Sequence, residues 1–158
     1  MLRVHFVFRR VTPPGGSNSA ELSRRARFLA AFAGVGLLAA LLLASQLQPD
    51  PRGWGTHEQL GLPPCTFLSV VGFRCPACGM TTAGANVTHG RPLDALKANA
   101  SGALLAVVAL AAGVWTLSAA ARGRWPAWRP TEMTMALGAV ALTGMVLCEW
   151  TLRVLAER

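Results

Sequence analysis

The sequence predicts an all-α membrane protein with three transmembrane helices and one or two short interfacial or re-entrant helices in a long outer loop. Of its 158 residues, 53% are hydrophobic and only 14% are charged, whereas soluble domains average about 25% charged residues. The chain contains three nearly uncharged stretches of about 20 residues, enough for a helix to cross a hydrocarbon core about 30 Å thick. Arginines gather beside these stretches, as expected at the ends of membrane spans.

The first apolar stretch, residues 28–47, has no charged side chain and predicts transmembrane helix 1. Pro49 and Pro51 end it, because proline cannot continue a helix. The Arg-rich residues 1–27 lack the apolar content to bury a core and are predicted to form a disordered basic tail. The apolar stretch is longer than the roughly 7–15 residues typical of a signal peptide, so an uncleaved anchor is expected.

The later part of the chain contains the other two stretches. Pro92 suits the first turn of a helix, which continues into an uncharged stretch that Gly123 and Pro126 end. The third stretch contains one acidic residue, Glu149, near its far end. The predicted segments are a cysteine loop at 48–98, transmembrane helix 2 at 99–121, a basic turn at 122–131, transmembrane helix 3 at 132–152 and a tail at 153–158.

Two short helices are predicted within the cysteine loop. Residues 67–73 are apolar but too few to cross a membrane, which favours a segment lying along its surface. A second short helix is predicted from Pro76 to about Val87. Gly90 would end it, because glycine readily takes the left-handed conformation that follows a helix.

The distribution of arginines predicts how the helices cross the membrane. Three spans place the N-terminus and the 122–131 turn on one side, and the cysteine loop and the C-terminus on the other. Arg24, Arg25 and Arg27 lie close to a span end, as do the arginines of the turn, and such residues are retained in the cytoplasm. We therefore expect a bacterial inner membrane protein with a cytoplasmic N-terminus and an extracytoplasmic cysteine loop in an oxidising compartment.

The formal net charge of +8 is explained by the same arrangement. The sequence has no basic stripe interleaved with aromatic residues and contains no Tyr, so nucleic-acid binding is not indicated. The expected partner is the lipid bilayer. A membrane or periplasmic protein partner and a homo-oligomer are both compatible with the sequence.

The cysteine loop contains the motif Cys75-Pro76-Ala77-Cys78-Gly79, the main chemical feature of the chain. Two thiols three residues apart can form a redox-active disulfide, and the start of a helix would stabilise the first thiolate. In this interpretation Cys75 and Cys78 are the catalytic pair. Cys65, in the same loop, or Cys148, near the outer end of the third span, would exchange disulfides with them.

A metal site and a structural site are the other two interpretations. Structural zinc takes four ligands, usually from two cysteine pairs, and this chain has one such pair. The ligands would be Cys65, Cys75 and Cys78 with Cys148 or His89, and His57 is a further candidate. A structural disulfide or zinc knuckle would instead hold the loop of a scaffold or complex subunit without enzymatic activity. The residues leave these interpretations open.

Glu149 is a carboxylate inside the third span, which makes it a functional candidate by default. It lies near the membrane interface, where it can instead reach lipid headgroups or Arg153 one helical turn away. The residues expected to shape turns and helix caps are Pro76, Gly79, Thr81, Gly90 and Asn99.

The cysteine pattern resembles a bacterial membrane family, domain of unknown function 2752. Cys65, a nine-residue spacer and the run from Cys75 to Thr81 are similar to that family's Cys, spacer and Cys-Pro-x-Cys-Gly-x-Thr-Arg. The resemblance continues from His89 to Asn99 and covers about residues 60–120. It implies a small membrane protein with several spans, and it implies no activity.

Two residues depart from the family pattern. Thr82 stands where the family usually has Arg, and Ala100 stands where Pro is common. If that Arg binds an anion or a headgroup, this chain lacks the contact. Cys148 and the N-terminal tail lie outside the resemblance.

Overall fold

The computed structural model describes residues 21–126 and 131–156. Most of the predicted tail at 1–27, part of the turn at 122–131 and the last two residues of the tail at 153–158 lie outside the described residues. The helices are α1 (Arg24–Gln46), α2 (Thr66–Val71), α3 (Met80–Thr88), α4 (Pro92–Arg122) and α5 (Glu132–Ala156), with a short 3-10 helix at Thr56–Leu60. The described part of the chain forms no β-strand, which confirms the predicted all-α class.

Helices α1, α4 and α5 are long and apolar enough to cross a membrane, which indicates a membrane protein. Helix α1 begins at Arg24, before the apolar stretch at 28–47, because Ser23 forms its N-cap. The Ser23 hydroxyl accepts a hydrogen bond from the Ala26 N–H at 3.2 Å. The arginines expected just before the span therefore lie in its first helical turn.

Helices α1 and α4 pack closely and run in opposite directions. The Leu22 N–H, just before α1, donates a hydrogen bond to the Gly123 carbonyl, just after α4, at 2.8 Å. At Gly34 a Cβ atom would lie 2.7 Å from Leu117 Cγ and 3.0 Å from the Gly113 carbonyl oxygen. Glycine at these positions allows the close backbone approach on which helix association in membranes depends.

Helix α4 contains a break at Asn99, whose φ of −168° and ψ of 108° are not helical. The Asn99 side chain caps the second part of the helix, because its Oδ1 accepts a hydrogen bond from the Gly102 N–H at 2.6 Å. The helix expected to open at Pro92 and continue into the span is therefore two helical parts joined at one extended residue.

Helix α3 packs against α1 and α4 at the end of the pair where α1 finishes. Its contact with α4 is made of small residues, since Ala83, Ala95, Ala98 and Ala103 form one buried cluster. Helices α2 and α3 correspond to the two predicted short helices. The 3-10 helix was not predicted, because its five residues show neither an apolar run nor a helical pattern.

Helix α5 stands apart from this arrangement. No residue of α5 is buried, and its contacts with α4 are few. Helix α5 is joined to the rest of the protein mainly through side chains near its C-terminal end, which reach the cysteine loop.

We expect Gly34→Ala to destabilise the protein by about 1–3 kcal/mol, because the added methyl group overpacks the contact with α4. Gly36→Ala is the matched control in the same helix, since nothing lies within 4 Å of a Cβ at Gly36. The control should be neutral or gain up to about 1 kcal/mol from helix propensity. Free energies of unfolding in detergent measure both changes, and equal effects would contradict close packing at Gly34.

Candidate thiol site

Three of the four cysteines converge in the structure. The Sγ atoms of Cys65, Cys75 and Cys78 all lie within 4.8 Å of one another, and those of Cys75 and Cys78 are 3.0 Å apart. Cys78 is buried, whereas Cys65 and Cys75 are half-buried. Among the described residues no fourth Cys, His, Asp or Glu belongs to this group.

The cysteine motif folds as a tight turn before α3. The Cys78 N–H donates to the Cys75 carbonyl at 3.0 Å, and the Met80 N–H donates to the Ala77 carbonyl at 3.1 Å. Gly79 then takes a φ of +91°, which a residue with a side chain rarely adopts. Helix α3 therefore begins at Met80 and not at Pro76, so both thiols lie in the turn that precedes the helix.

Gly79 also allows the turn to approach the break in α4. A Cβ atom at Gly79 would lie 2.5 Å from the Ala98 carbonyl oxygen and 2.9 Å from the Gly53 carbonyl oxygen. The turn, the segment after α1 and the first part of α4 thus meet at a residue where there is no room for a side chain.

Cys65 reaches the other two thiols from the start of α2, where it is the N-cap residue. The N–H groups of this helix start, that of Leu68 first, stabilise the thiolate and hold the pKa of Cys65 below its usual value. Burial, followed by the thiol of Cys75, raises the pKa of Cys78 to about 12. In the metal-free protein Cys65 therefore ionises before Cys78.

The three thiols line a cavity of about 240 Å³. The other walls are Trp54, Gly55, His57, Ala77, Gly79, Thr81 and Thr82. The Thr82 wall is held in place by a buried hydrogen bond of 2.8 Å between the hydroxyl oxygens of Thr56 and Thr82. The cavity thus offers an imidazole and hydroxyl groups beside the sulfur atoms.

A charged cluster supports the Trp54 wall of the cavity. The Arg52 guanidinium lies 4.4 Å from the centre of the Trp54 ring and pairs with Asp50 at 2.7 Å and Glu58 at 3.4 Å. The hydrogen bond from Arg52 holds the pKa of Asp50 below its usual value. One guanidinium faces two carboxylates here, so the cluster has a formal charge of −1.

The end of α5 is joined to the cysteine motif by hydrogen bonds. The Cys78 carbonyl accepts from Asn99 Nδ2 at 3.1 Å and from Arg153 Nη1 at 3.3 Å. The Trp150 indole N–H donates to the Arg74 carbonyl at 2.8 Å. Phe67, Phe73 and Trp150 also form an aromatic cluster with ring centres 5.8–6.5 Å apart.

Glu149 closes this network by capping the second part of α4. Its Oε1 accepts from the Ala100 N–H at 2.7 Å, and its Oε2 accepts from the Ser101 N–H at 2.8 Å. The same carboxylate accepts from the Ser101 hydroxyl and pairs with Arg153. A carboxylate at a helix N-terminus is stabilised by the unpaired N–H groups and by the helix dipole.

The remaining sequence-predicted site residues include some outside the thiol group. Cys148 is exposed on α5 and does not belong to the thiol group. His89 lies at the far end of α3, roughly 13 Å along the helix axis from Met80, and its Nδ1 contacts the Ala85 carbonyl oxygen at 2.7 Å. Thr81 lines the cavity, and Gly90, with a φ of +70°, follows α3.

One family model matches the part of the chain that contains this site. Residues 65–113 match the family described as Protein of unknown function (DUF2752). The resemblance predicted from the cysteine pattern is therefore confirmed, and the matched part contains all three converging cysteines and the break in α4. No similar protein was found among curated proteins, and none among solved structures.

The two departures from the DUF2752 pattern have structural counterparts. Thr82 is buried, and its hydroxyl forms a hydrogen bond with that of Thr56, a partner that an arginine at this position would not reproduce. Ala100 supplies the N–H that binds Glu149, whereas a proline at this position has no N–H to donate. The network at Glu149 therefore uses a donor that a DUF2752 chain with proline there would lack.

Sequence reasoning recognised Glu149 as a costly residue but connected it only with headgroups or Arg153. Its bonds to Ala100 and Ser101 were not predictable, because they depend on the break at Asn99. The sequence signal for a helix start here was Asn99, because asparagine is one of the preferred N-cap residues.

We expect Glu149→Gln to destabilise the protein by about 1.5–3 kcal/mol, because an amide NH₂ would face N–H donors that now bind a carboxylate. Ala100→Pro removes one of these donors while suiting the first helical position, and should cost about 1 kcal/mol net. Glu132→Gln, in the exposed first turn of α5, is the control and should cost less than about 1 kcal/mol. Unfolding in detergent that is unchanged by Glu149→Gln would refute the cap.

Proposed function

We propose that this protein is a multi-pass bacterial inner membrane protein whose cysteine loop binds a thiophilic metal ion, with zinc as the leading candidate. The observation that supports the proposal is the convergence of three Sγ atoms, from Cys65, Cys75 and Cys78, within 4.8 Å. Two thiolate ligands of one tetrahedral zinc ion lie about 3.8 Å apart, given Zn–S bonds of about 2.3 Å. Small side-chain rotations would bring the three sulfur atoms to such spacings.

The third thiol favours a metal over a simple disulfide. A disulfide uses two cysteines, and the sequence places Cys65 ten residues before Cys75 with its own helix between them. Bringing Cys65 to the other two thiols requires α2 and the turn to pack together, which costs conformational entropy. A disulfide between Cys75 and Cys78 alone would not require this ordering. A three-thiolate site accounts for this arrangement.

The fourth metal position would face the cavity. Within the described residues three cysteines are the complete ligand group, and three protein ligands with one open position are typical of zinc sites that bind a further ligand. His57 lines the same cavity, and its imidazole is a further side chain of a metal-ligating type in its wall. A bound metal would supply a Lewis acid, and the role of the chain is to hold it and to shape the space beside it.

The proposed orientation places the thiol site outside the cytoplasm. The arginines at the start of α1 and the end of α4 lie at one end of the helix pair, since Leu22 and Gly123 are hydrogen-bonded there. The thiol site lies at the other end, beside Ala98 and Asn99. Retention of arginines in the cytoplasm supports this orientation.

Disulfide exchange is the second candidate function, and the short distance between Cys75 and Cys78 favours it. Their 3.0 Å separation is about 1 Å longer than a disulfide bond. Forming that bond would release two electrons and two protons to an external protein disulfide, which would be reduced to two thiols. Cys65, as a thiolate, would then attack one sulfur of that bond, forming a disulfide with it and releasing the other sulfur of the pair as a thiolate.

Metal content of the purified full-length protein tests the leading proposal. In detergent, without chelator, we expect about one zinc ion per chain by elemental analysis. Cys65→Ser, Cys75→Ser and Cys78→Ser should each lose most of it, whereas Cys148→Ser, the matched control on α5, should keep it. Unfolding midpoints verify that the variants are folded.

Two results would refute the metal proposal. One is a protein that holds no zinc after reduction and exposure to the ion. The other is equal metal loss in the Cys148→Ser control. If the metal-free protein instead contains a Cys75–Cys78 disulfide with a potential between roughly −120 and −270 mV, disulfide exchange takes its place. A disulfide that resists reduction would leave only the structural scaffold role.

Labelling with a membrane-impermeant thiol reagent tests the orientation. On intact spheroplasts, after reduction and chelation, the half-buried Cys65 and Cys75 should react. In a variant whose four native cysteines are serine, Arg124→Cys should react only after lysis, because Arg124 lies at the opposite end of the helix pair. The reverse pattern would place the thiol site in the cytoplasm.

A further inference from the structure

A second cavity, of about 550 Å³, lies at the arginine end of the helix pair, between the start of α1 and the end of α4. Its walls are Arg24, Arg27, Phe28, Ala31, Leu117, Ala120 and Ala121. Arg24 and Ala31 are about 10 Å apart along the axis of α1. The cavity therefore changes from cationic at the helix end to apolar deeper along the span.

The arginine side chains of this cavity have hydrogen-bonding capacity to spare. Arg27 is held over the end of α4, where its Nε donates to the Ala120 carbonyl at 3.0 Å and its Nη2 approaches the Ala121 carbonyl at 3.5 Å. A guanidinium has five N–H donors, so most of them remain available. The Arg24 side chain makes no hydrogen bond or ion pair within residues 21–126 and 131–156.

The first turn of α1 lacks the negative charge that a helix start favours. It contains basic residues and no acidic one, although the N-terminal end of a helix dipole is already positive. The nearby Trp115 and Trp125 rings are in contact, with centres 5.0 Å apart and planes tilted by 35°, and Trp125 packs against the Leu22, Ala30 and Ala120 cluster. Tryptophan beside arginine is typical of the headgroup level of a membrane.

We propose that this cavity binds one anionic phospholipid, with its phosphate on Arg24 and Arg27 and an acyl chain along Phe28, Ala31 and Leu117. The order of charge along the cavity matches the order in the lipid, whose anionic headgroup precedes its apolar chain. The bound phosphate offsets the positive charge of the two arginines and of the helix start. The site is independent of the thiol site, since the two lie at opposite ends of the helix pair.

Native mass spectrometry of the full-length protein, titrated with phosphatidylglycerol or phosphatidylcholine in detergent, tests the proposal. The unchanged protein should bind phosphatidylglycerol more tightly. Arg24→Gln should weaken that binding about fivefold, the effect of one basic side chain beside an anionic lipid. Arg25→Gln is the matched control, because Arg25 is the next residue in the same turn but does not line the cavity. It should change the affinity less than about twofold.

A second pair of variants tests the apolar wall without changing any charge. Ala31→Leu fills the cavity and should weaken phosphatidylglycerol binding, whereas Ala40→Leu, at an exposed position of α1 outside the cavity, should not. Unfolding midpoints identify any variant that is misfolded. Arg24 is exposed and unpaired within the described residues, so Arg24→Gln is expected to fold.

Three results would overturn the lipid site. The first is equal affinity for the two lipids, and the second is an equal loss in Arg24→Gln and Arg25→Gln. The third is complete displacement of phosphatidylglycerol by excess inorganic phosphate together with no effect of Ala31→Leu. That result would identify a site for a free anion, with no part for the acyl chain.

Discussion

The arrangement of the cysteine loop depends on how the break in α4 at Asn99 is satisfied. A break within a helix leaves backbone N–H groups without acceptors, and near a membrane such groups are costly to leave unpaired. The Asn99 side chain accepts one of them, from Gly102, and the Glu149 carboxylate accepts those of Ala100 and Ser101. One residue of α4 and one of α5 thus complete a helix start inside the protein.

The same break positions the thiols. The Asn99 side chain caps α4 through its Oδ1 atom, and its Nδ2 group donates a hydrogen bond to the Cys78 carbonyl. Arg153 also donates to that carbonyl. The extended backbone at Asn99 therefore links the helix cap, the cysteine turn and α5 through one side chain. Helix α5 has no buried residue. Its connection to the cysteine loop therefore depends on the hydrogen bonds of Arg153 and on the contacts of Trp150. A substitution in α5 can therefore alter the thiol site from another helix.

The two ends of the α1–α4 pair differ in the side chains that they present. One end combines glycine-mediated close approach, a tight turn and three thiols around a small cavity. The other combines arginines, tryptophans and an apolar cavity, as expected where lipid headgroups meet protein. Close packing at Gly34 and Gly113 lies between them and fixes their relative position. The thiol site and the proposed lipid site thus lie at opposite ends of one closely packed helix pair.

The sequence by itself determined the number of long apolar helices, the cysteine motif and its resemblance to DUF2752, because length, apolar composition and spacing are local properties of the chain. Only the tertiary structure decided which residues join that motif. Cys65 reaches the Cys75–Cys78 pair while Cys148 and His89 do not, since this depends on how α2 packs beside a turn and where α3 ends. The partners of Glu149 likewise depend on a contact between α4 and α5, whose contacting residues are 49 positions apart in the sequence. Local patterns predict helices but not which residues of two helices meet.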